Sequence, residues 1–85
     1  MAEYNIYLSA EVEKDLSAIP QKNLKKILYR IALLSHDTCP LACEKLSDQE
    51  RYRIRQGKYR IVYSIQEKAL TVSIVKIGHR KDLYR

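Results

Sequence analysis

The strongest constraint in this chain is a pair of alternating runs, Tyr52-Arg53-Ile54-Arg55-Gln56 and Tyr59-Arg60-Ile61-Val62-Tyr63-Ser64-Ile65, separated only by Gly57-Lys58. Strands joined by two residues form an antiparallel hairpin, and glycine at the first central position supplies the backbone conformation of a tight turn. Gln56 then pairs with Tyr59, and the register fixes every other pair. Arg55 falls opposite Arg60 and Arg53 opposite Val62 on one face, while Ile54 with Ile61 and Tyr52 with Tyr63 fill the other. One face reads as core and the other as basic. Two arginines directly across a sheet repel, and a merely solvated face usually mixes charge signs, so this pattern points to an anion, with phosphate the natural one.

The rest of the sequence supplies the layers that cover the apolar face. Tyr4 to Leu8 alternates as a half-buried first strand. Ser9 is placed to cap a short helix through about Ala18, with Glu11 and Glu13 in its first turn. Pro20 breaks that helix. From Gln21 a second helix carries Leu24, Ile27, Leu28, Ile31 and Leu34 as an apolar stripe. The stretch from His36 to Asp48 reads as a connection, and a further strand is expected over Leu70 to Ile77 after a short turn at Gln66 to Ala69. The expected architecture is α+β: an N-terminal strand, a helical hairpin, then a three-stranded antiparallel meander with the helices packed on one sheet face. At 85 residues the chain accommodates a single domain, 1–85.

Charge is unevenly distributed. Residues 1–50 carry six Lys/Arg against eight acids, whereas residues 51–85 carry ten Lys/Arg against Glu67 and Asp82. A basic C-terminal half joined to a near-neutral one implies a polyanionic partner, with nucleic acid the leading candidate. No apolar run approaches the roughly 20 residues of a bilayer span, and no signal-peptide core is present, so the expectation is a cytoplasmic protein with no membrane partner. Cys39 and Cys43, with His36 nearby, lack the four-ligand pattern of a zinc site. They read as unbridged small side chains in a loop, with neither metal nor small-molecule cofactor expected.

The C-terminal run Ile77-Gly78-His79-Arg80-Lys81-Asp82-Leu83-Tyr84-Arg85 crowds an imidazole, a guanidinium and a phenol together. Gly78 permits a sharp turn and Leu83 can anchor the tail, bringing this group to the basic face, where it can do acid–base work.

In length, element order and these two segments, the sequence resembles the RelE/ParE superfamily of toxins from type II toxin–antitoxin pairs. The resemblance to RelE-type members implies a ribosome-dependent endoribonuclease, an mRNA interferase that cuts mRNA in the A site using the RNA's own 2′-hydroxyl and is neutralised by a cognate antitoxin. By position it assigns Arg53, Arg55, Arg60 and Arg80 to the phosphate clamp and Tyr84 to the nucleotide base, with Arg51, Lys58 and Lys81 as further substrate contacts. Where the best-known members carry lysines, this chain has Arg53 and Arg55, which stay protonated and make poor proton acceptors. His79 is then the first candidate for general acid or base and Tyr84 the second; alternatively, the arginines act only by stabilising charge on the phosphate. The same scaffold also serves ParE-like members, which inhibit DNA gyrase without catalysis, and a third reading is a module that only binds backbone phosphates.

Overall fold

The structure, a computed structural model, describes residues 3–38, 43–46 and 51–79. In chain order the elements are β1 (Asn5–Leu8), α1 (Ala10–Ser17), α2 (Gln21–Leu33), β2 (Glu44–Leu46), β3 (Arg51–Gln56), β4 (Tyr59–Gln66) and β5 (Thr71–His79). The strands form one sheet in the order β1-β5-β4-β3-β2. β1 runs parallel to β5, while β2, β3, β4 and β5 are antiparallel to their neighbours. Val12 of α1, Ile27 and Ile31 of α2, and Leu34 share one core with Ile54, Ile61, Tyr63, Val72, Ile74 and Ile77. Both helices therefore cover the same sheet face.

The expected hairpin register holds pair for pair: Gln56 with Tyr59, Arg55 with Arg60, Ile54 with Ile61, Arg53 with Val62 and Tyr52 with Tyr63. Gly57 has φ +62° and Lys58 does not have a positive φ, the combination a type II′ turn requires. Ser9 caps α1 as its position suggests, its hydroxyl accepting from the Val12 N–H at 3.2 Å.

Four readings of the sequence need correction. The connection between α2 and β3 contains β2, a three-residue edge strand too short to show a period. Leu28, placed in the apolar stripe, is 42% exposed, because a stripe of five residues is wider than the contact one sheet face offers. The last strand begins at Thr71, since Leu70 adopts φ +47° to close the preceding turn, and it continues to His79. Cys43, partly buried against the core, is disulfide-bonded rather than a free thiol. The chain's other cysteine, Cys39, lies outside the described residues.

β5 carries one more residue than β4 where Val62 pairs with Lys76 and Tyr63 with Ile74, leaving Val75 as a bulge. α1 docks beside it: the Asp15 carboxylate accepts from the Ile77 N–H and from Lys76 Nζ, each at 3.3 Å, and Glu11 lies 3.4 Å from the same ammonium. The hydrogen bond and charge of Asp15, seconded by Glu11, hold the Lys76 pKa above its ordinary value. Asp15 gives the Ile77 N–H a side-chain acceptor. Asp15→Ala leaves that donor without its carboxylate, with an expected loss of about 1–3 kcal/mol by denaturant titration at neutral pH. An unchanged midpoint would show that water replaces the carboxylate without cost.

Candidate nucleic-acid interface

Alternation along β3 and β4 places Arg51, Arg53, Arg55 and Arg60 on the face turned away from the helices. Arg60 lies between Arg55 on β3 and Gly78 on β5. It is 1% exposed, the only buried charged side chain among the described residues. Burying a guanidinium in a domain this small is costly, and an arginine held that way is a fixed cation whose orientation is largely settled before any ligand arrives. Arg55 is exposed, and Arg51 lies at the opposite end of β3, paired with Ser64.

Arg53 is engaged by a residue that sequence reasoning did not single out. Glu44 of β2 is its direct cross-strand partner, and Arg53 Nη2 lies 2.5 Å from Glu44 Oε2. The hydrogen bond and charge of Arg53 hold the Glu44 carboxyl below the usual carboxylate range, and the charges of Arg55 and Arg60 add to the effect. Arg53, Arg55 and Arg60 thus act electrostatically on one carboxylate, as they would on a phosphate oxygen. A lowered pKa means that Glu44 stabilises this face above the ordinary carboxyl pKa and loses that contribution as pH falls through its depressed value. Three residues, Glu44-Lys45-Leu46, carry no periodic signal, so the only clue to Glu44 in the sequence is an acid shortly before a basic hairpin.

His79 is not part of this face. Arg60 pairs with Gly78, so the next pair, Tyr59 with His79, points the other way. The Tyr59 and His79 rings meet edge to face at 5.6 Å, and Gln56, which pairs with Tyr59, accepts a hydrogen bond from Arg30 of α2. The sheet therefore separates His79 from the arginines, and the expected grouping of imidazole with guanidinium clamp is corrected by strand alternation alone. Lys58 sits at the hairpin tip. Arg80, Lys81 and Tyr84 lie outside the described residues. No group of three or more potential metal-ligating side chains occurs among the described residues, and no described helix is long and apolar enough to cross a membrane.

Residues 6–84 match the family described as ParE toxin of type II toxin–antitoxin system, parDE. The RelE1 protein of Methanocaldococcus jannaschii is 33% identical, covering 98% of this chain and 97% of its own. Toxin RelG of Mycobacterium tuberculosis is 29% identical, over 96% of this chain and 97% of its own. Among solved structures, the archaeal RelE–RelB complex from Pyrococcus horikoshii superposes with a TM-score of 0.83 at 26% identity, covering 92% of this chain and 96% of that one. The isolated Escherichia coli RelE toxin gives a TM-score of 0.80 at 14% identity, covering 89% of this chain and 83% of that one, a likeness of fold. An α+β layer with a basic hairpin, matched along nearly its whole length by these proteins, this chain belongs to the RelE/ParE toxins of type II toxin–antitoxin systems.

Proposed function

We propose that this toxin is a ribosome-dependent mRNA interferase, a metal-independent endoribonuclease that cuts mRNA in the A site by attack of a 2′-hydroxyl on the adjacent phosphate. The observation that carries the reading is the pairing of Arg55 with a buried Arg60 beside Arg53. The members of such a clamp repel one another until a phosphate neutralises them, and the contact is most favourable when negative charge on the phosphate is greatest, in the transition state. Arg80 and Tyr84 complete the site in this reading, Arg80 on the phosphate and Tyr84 against the base, with Arg51, Lys58 and Lys81 as contacts along the RNA. The partners are the ribosome, mRNA and a cognate antitoxin. Complexes of related toxins with RelB support the last of these.

With His79 across the sheet, the clamp works chiefly by electrostatics: the 2′-hydroxyl gives its proton to water as its oxygen bonds to phosphorus, the P–O5′ bond breaks to leave a 2′,3′-cyclic phosphate, the departing 5′-oxygen takes a proton from water, and the guanidinium groups hold the charge that builds on the non-bridging oxygens. Glu44 is an internal anion that the incoming phosphate displaces from Arg53. Glu44→Gln is therefore expected to tighten binding of a non-cleavable RNA several-fold, because one repulsive charge leaves the site while cleavage persists. A fall in cleavage of about 100-fold at unchanged affinity would instead make Glu44 the proton acceptor.

The name of the matching family keeps a second reading in view, a ParE-like protein that inhibits DNA gyrase without catalysis. Induced expression separates the two. Interferase activity leaves new mRNA ends within translated codons in primer extension, with supercoiling unaffected, whereas intact mRNA with inhibited supercoiling would overturn the proposal.

A further inference from the structure

The helix-facing side of the hairpin has a cleft of its own, about 350 Å³ in volume, between the N-terminal half of α2 and the β3–β4 turn. Asn23 and Lys26 line it from the helix, Gln56, Lys58 and Tyr59 from the hairpin, and His79 from the end of β5. Among the described residues no acid lines it. It lies across the sheet from Arg55 and Arg60 but shares their hairpin, since Gln56 and Tyr59 are the next pair along from Arg55 and Arg60.

Two observations indicate that its charge is not there for stability. α2 carries Lys22, Lys25, Lys26 and Arg30 and no acid, so its first two turns are cationic. Its N-cap is Pro20, with no side-chain capping hydrogen bond. A helix macrodipole disfavours cations at the N-terminal end and favours acids there, as α1 illustrates with Glu11 and Glu13. Lysines at this end of α2 therefore cost the isolated domain a little free energy and are compensated only when an anion arrives. The cleft walls are also held together in advance: Arg30 Nε donates to Gln56 Oε1 at 3.1 Å, tying the helix to the hairpin and leaving the Gln56 amide nitrogen as a donor. Beside the cations stands an aromatic pair, Tyr59 with His79. Cations beside an aromatic surface suit a nucleotide: phosphate on Lys26 and Lys58, base against Tyr59.

We propose that this cleft is a second nucleotide-binding site, taking one phosphate and base either of a free ribonucleotide or of an RNA strand that passes around the hairpin tip. In its strand form the inference rests on the interferase reading, extending the RNA contact from the arginine face to the helix face through Lys58. In its free-nucleotide form it stands independently of cleavage.

The test uses the full chain, isotope-labelled, titrated separately with adenosine 5′-monophosphate, inorganic phosphate, a glutamate-rich peptide and a 2′-O-methyl oligoribonucleotide that cannot be cut. The mononucleotide is expected to shift amide resonances of Asn23, Lys26 and Gln56 to Tyr59. Lys26 and Lys58 are both exposed, so Lys26→Gln with Lys58→Gln folds as the parent does. The double change is expected to weaken the mononucleotide by about 10-fold, two exposed charge contacts at about 3-fold each. It should also flatten the salt dependence of oligonucleotide binding by about 0.7, the value for one phosphate contact on a single strand. Arg55→Ala should leave the mononucleotide shifts unchanged, which separates this site from the clamp. Mononucleotide binding with an unaltered salt slope would assign the site to free nucleotides and overturn the strand form. Shifts confined to the arginine face, equal affinity for inorganic phosphate, or tighter binding of the peptide than of either nucleotide probe would overturn the assignment. Failure here with cleavage intact would leave the interferase reading standing, and the reverse result would leave this site standing.

Discussion

Replacing Arg60 with alanine is expected to lower cleavage of mRNA on programmed ribosomes by about 100-fold or more, the scale for losing one preorganised contact to a transition-state charge. The residue is buried, so truncation also removes packing, and the comparison must separate charge from volume. Arg60→Met keeps most of the volume and none of the charge. It should fold at least as well as the alanine variant and cleave as poorly. Arg60→Lys keeps the charge without the forked geometry, and an intermediate rate would show that bidentate contact contributes beyond charge alone. Single-turnover rates, with folding checked by circular dichroism, make the distinction. Full toxicity in a folded Arg60→Met protein would remove the clamp from the mechanism and leave gyrase inhibition as the better reading.

The hairpin was legible in the sequence because three local signals agreed: alternation with a period of two, a two-residue connection, and glycine where the turn needs a positive φ. Agreement of that kind fixes register, and register sets Arg55 against Arg60. The Ser9 cap was legible for a similar reason, since the hydroxyl and the two acids after it address the same free N–H groups. Extending the same arithmetic one strand further also separates His79 from the arginines, because Tyr59 pairs with it and Arg60 with Gly78. The bulge at Val75 is the hidden complication: it changes the register between Tyr63 and Val62, and nothing in the run Thr71 to Ile77 marks it.

What escaped sequence reasoning was non-local. β2 exists because β3 offers an unpaired edge, and three residues satisfy it without any pattern of their own. Glu44 acquires its role only through that pairing, so its position among the arginines follows from topology rather than from its neighbours in the chain. The disulfide at Cys43 escaped for a different reason: the expectation of free thiols came from the chemistry of a cellular compartment, which carries no information about geometry.

The largest stability effect is expected at Tyr63, in the strand that lies at the middle of the sheet. Its side chain is fully buried, its ring stacks on Tyr52 with centroids 5.8 Å apart, and its hydroxyl donates to the Thr38 carbonyl at 2.8 Å. Tyr63→Ala should cost about 3–5 kcal/mol, a large share of the roughly 5–15 kcal/mol that stabilises a domain. At about 4–8 °C per kcal/mol for a domain of this size, that is a fall in Tm on the order of 20 °C. Tyr63→Phe removes only the hydrogen bond and should cost about 1 kcal/mol at neutral pH. Alkali then separates the two contributions. Burial above all, with the Asp37 charge and Tyr52 adding, pushes the Tyr63 phenol up to about 12. An unfolded tyrosine ionises near pH 10, so the folded state keeps a proton the unfolded state has lost. The associated stability is complete below about pH 10 and is lost as pH rises toward 12, on the order of 2–3 kcal/mol in all. Tyr63→Phe has no such proton, so its deficit relative to the parent should shrink or reverse across that interval. Denaturant midpoints that fall in parallel for both proteins between pH 9 and 12 would show that Tyr63 ionises as freely folded as unfolded.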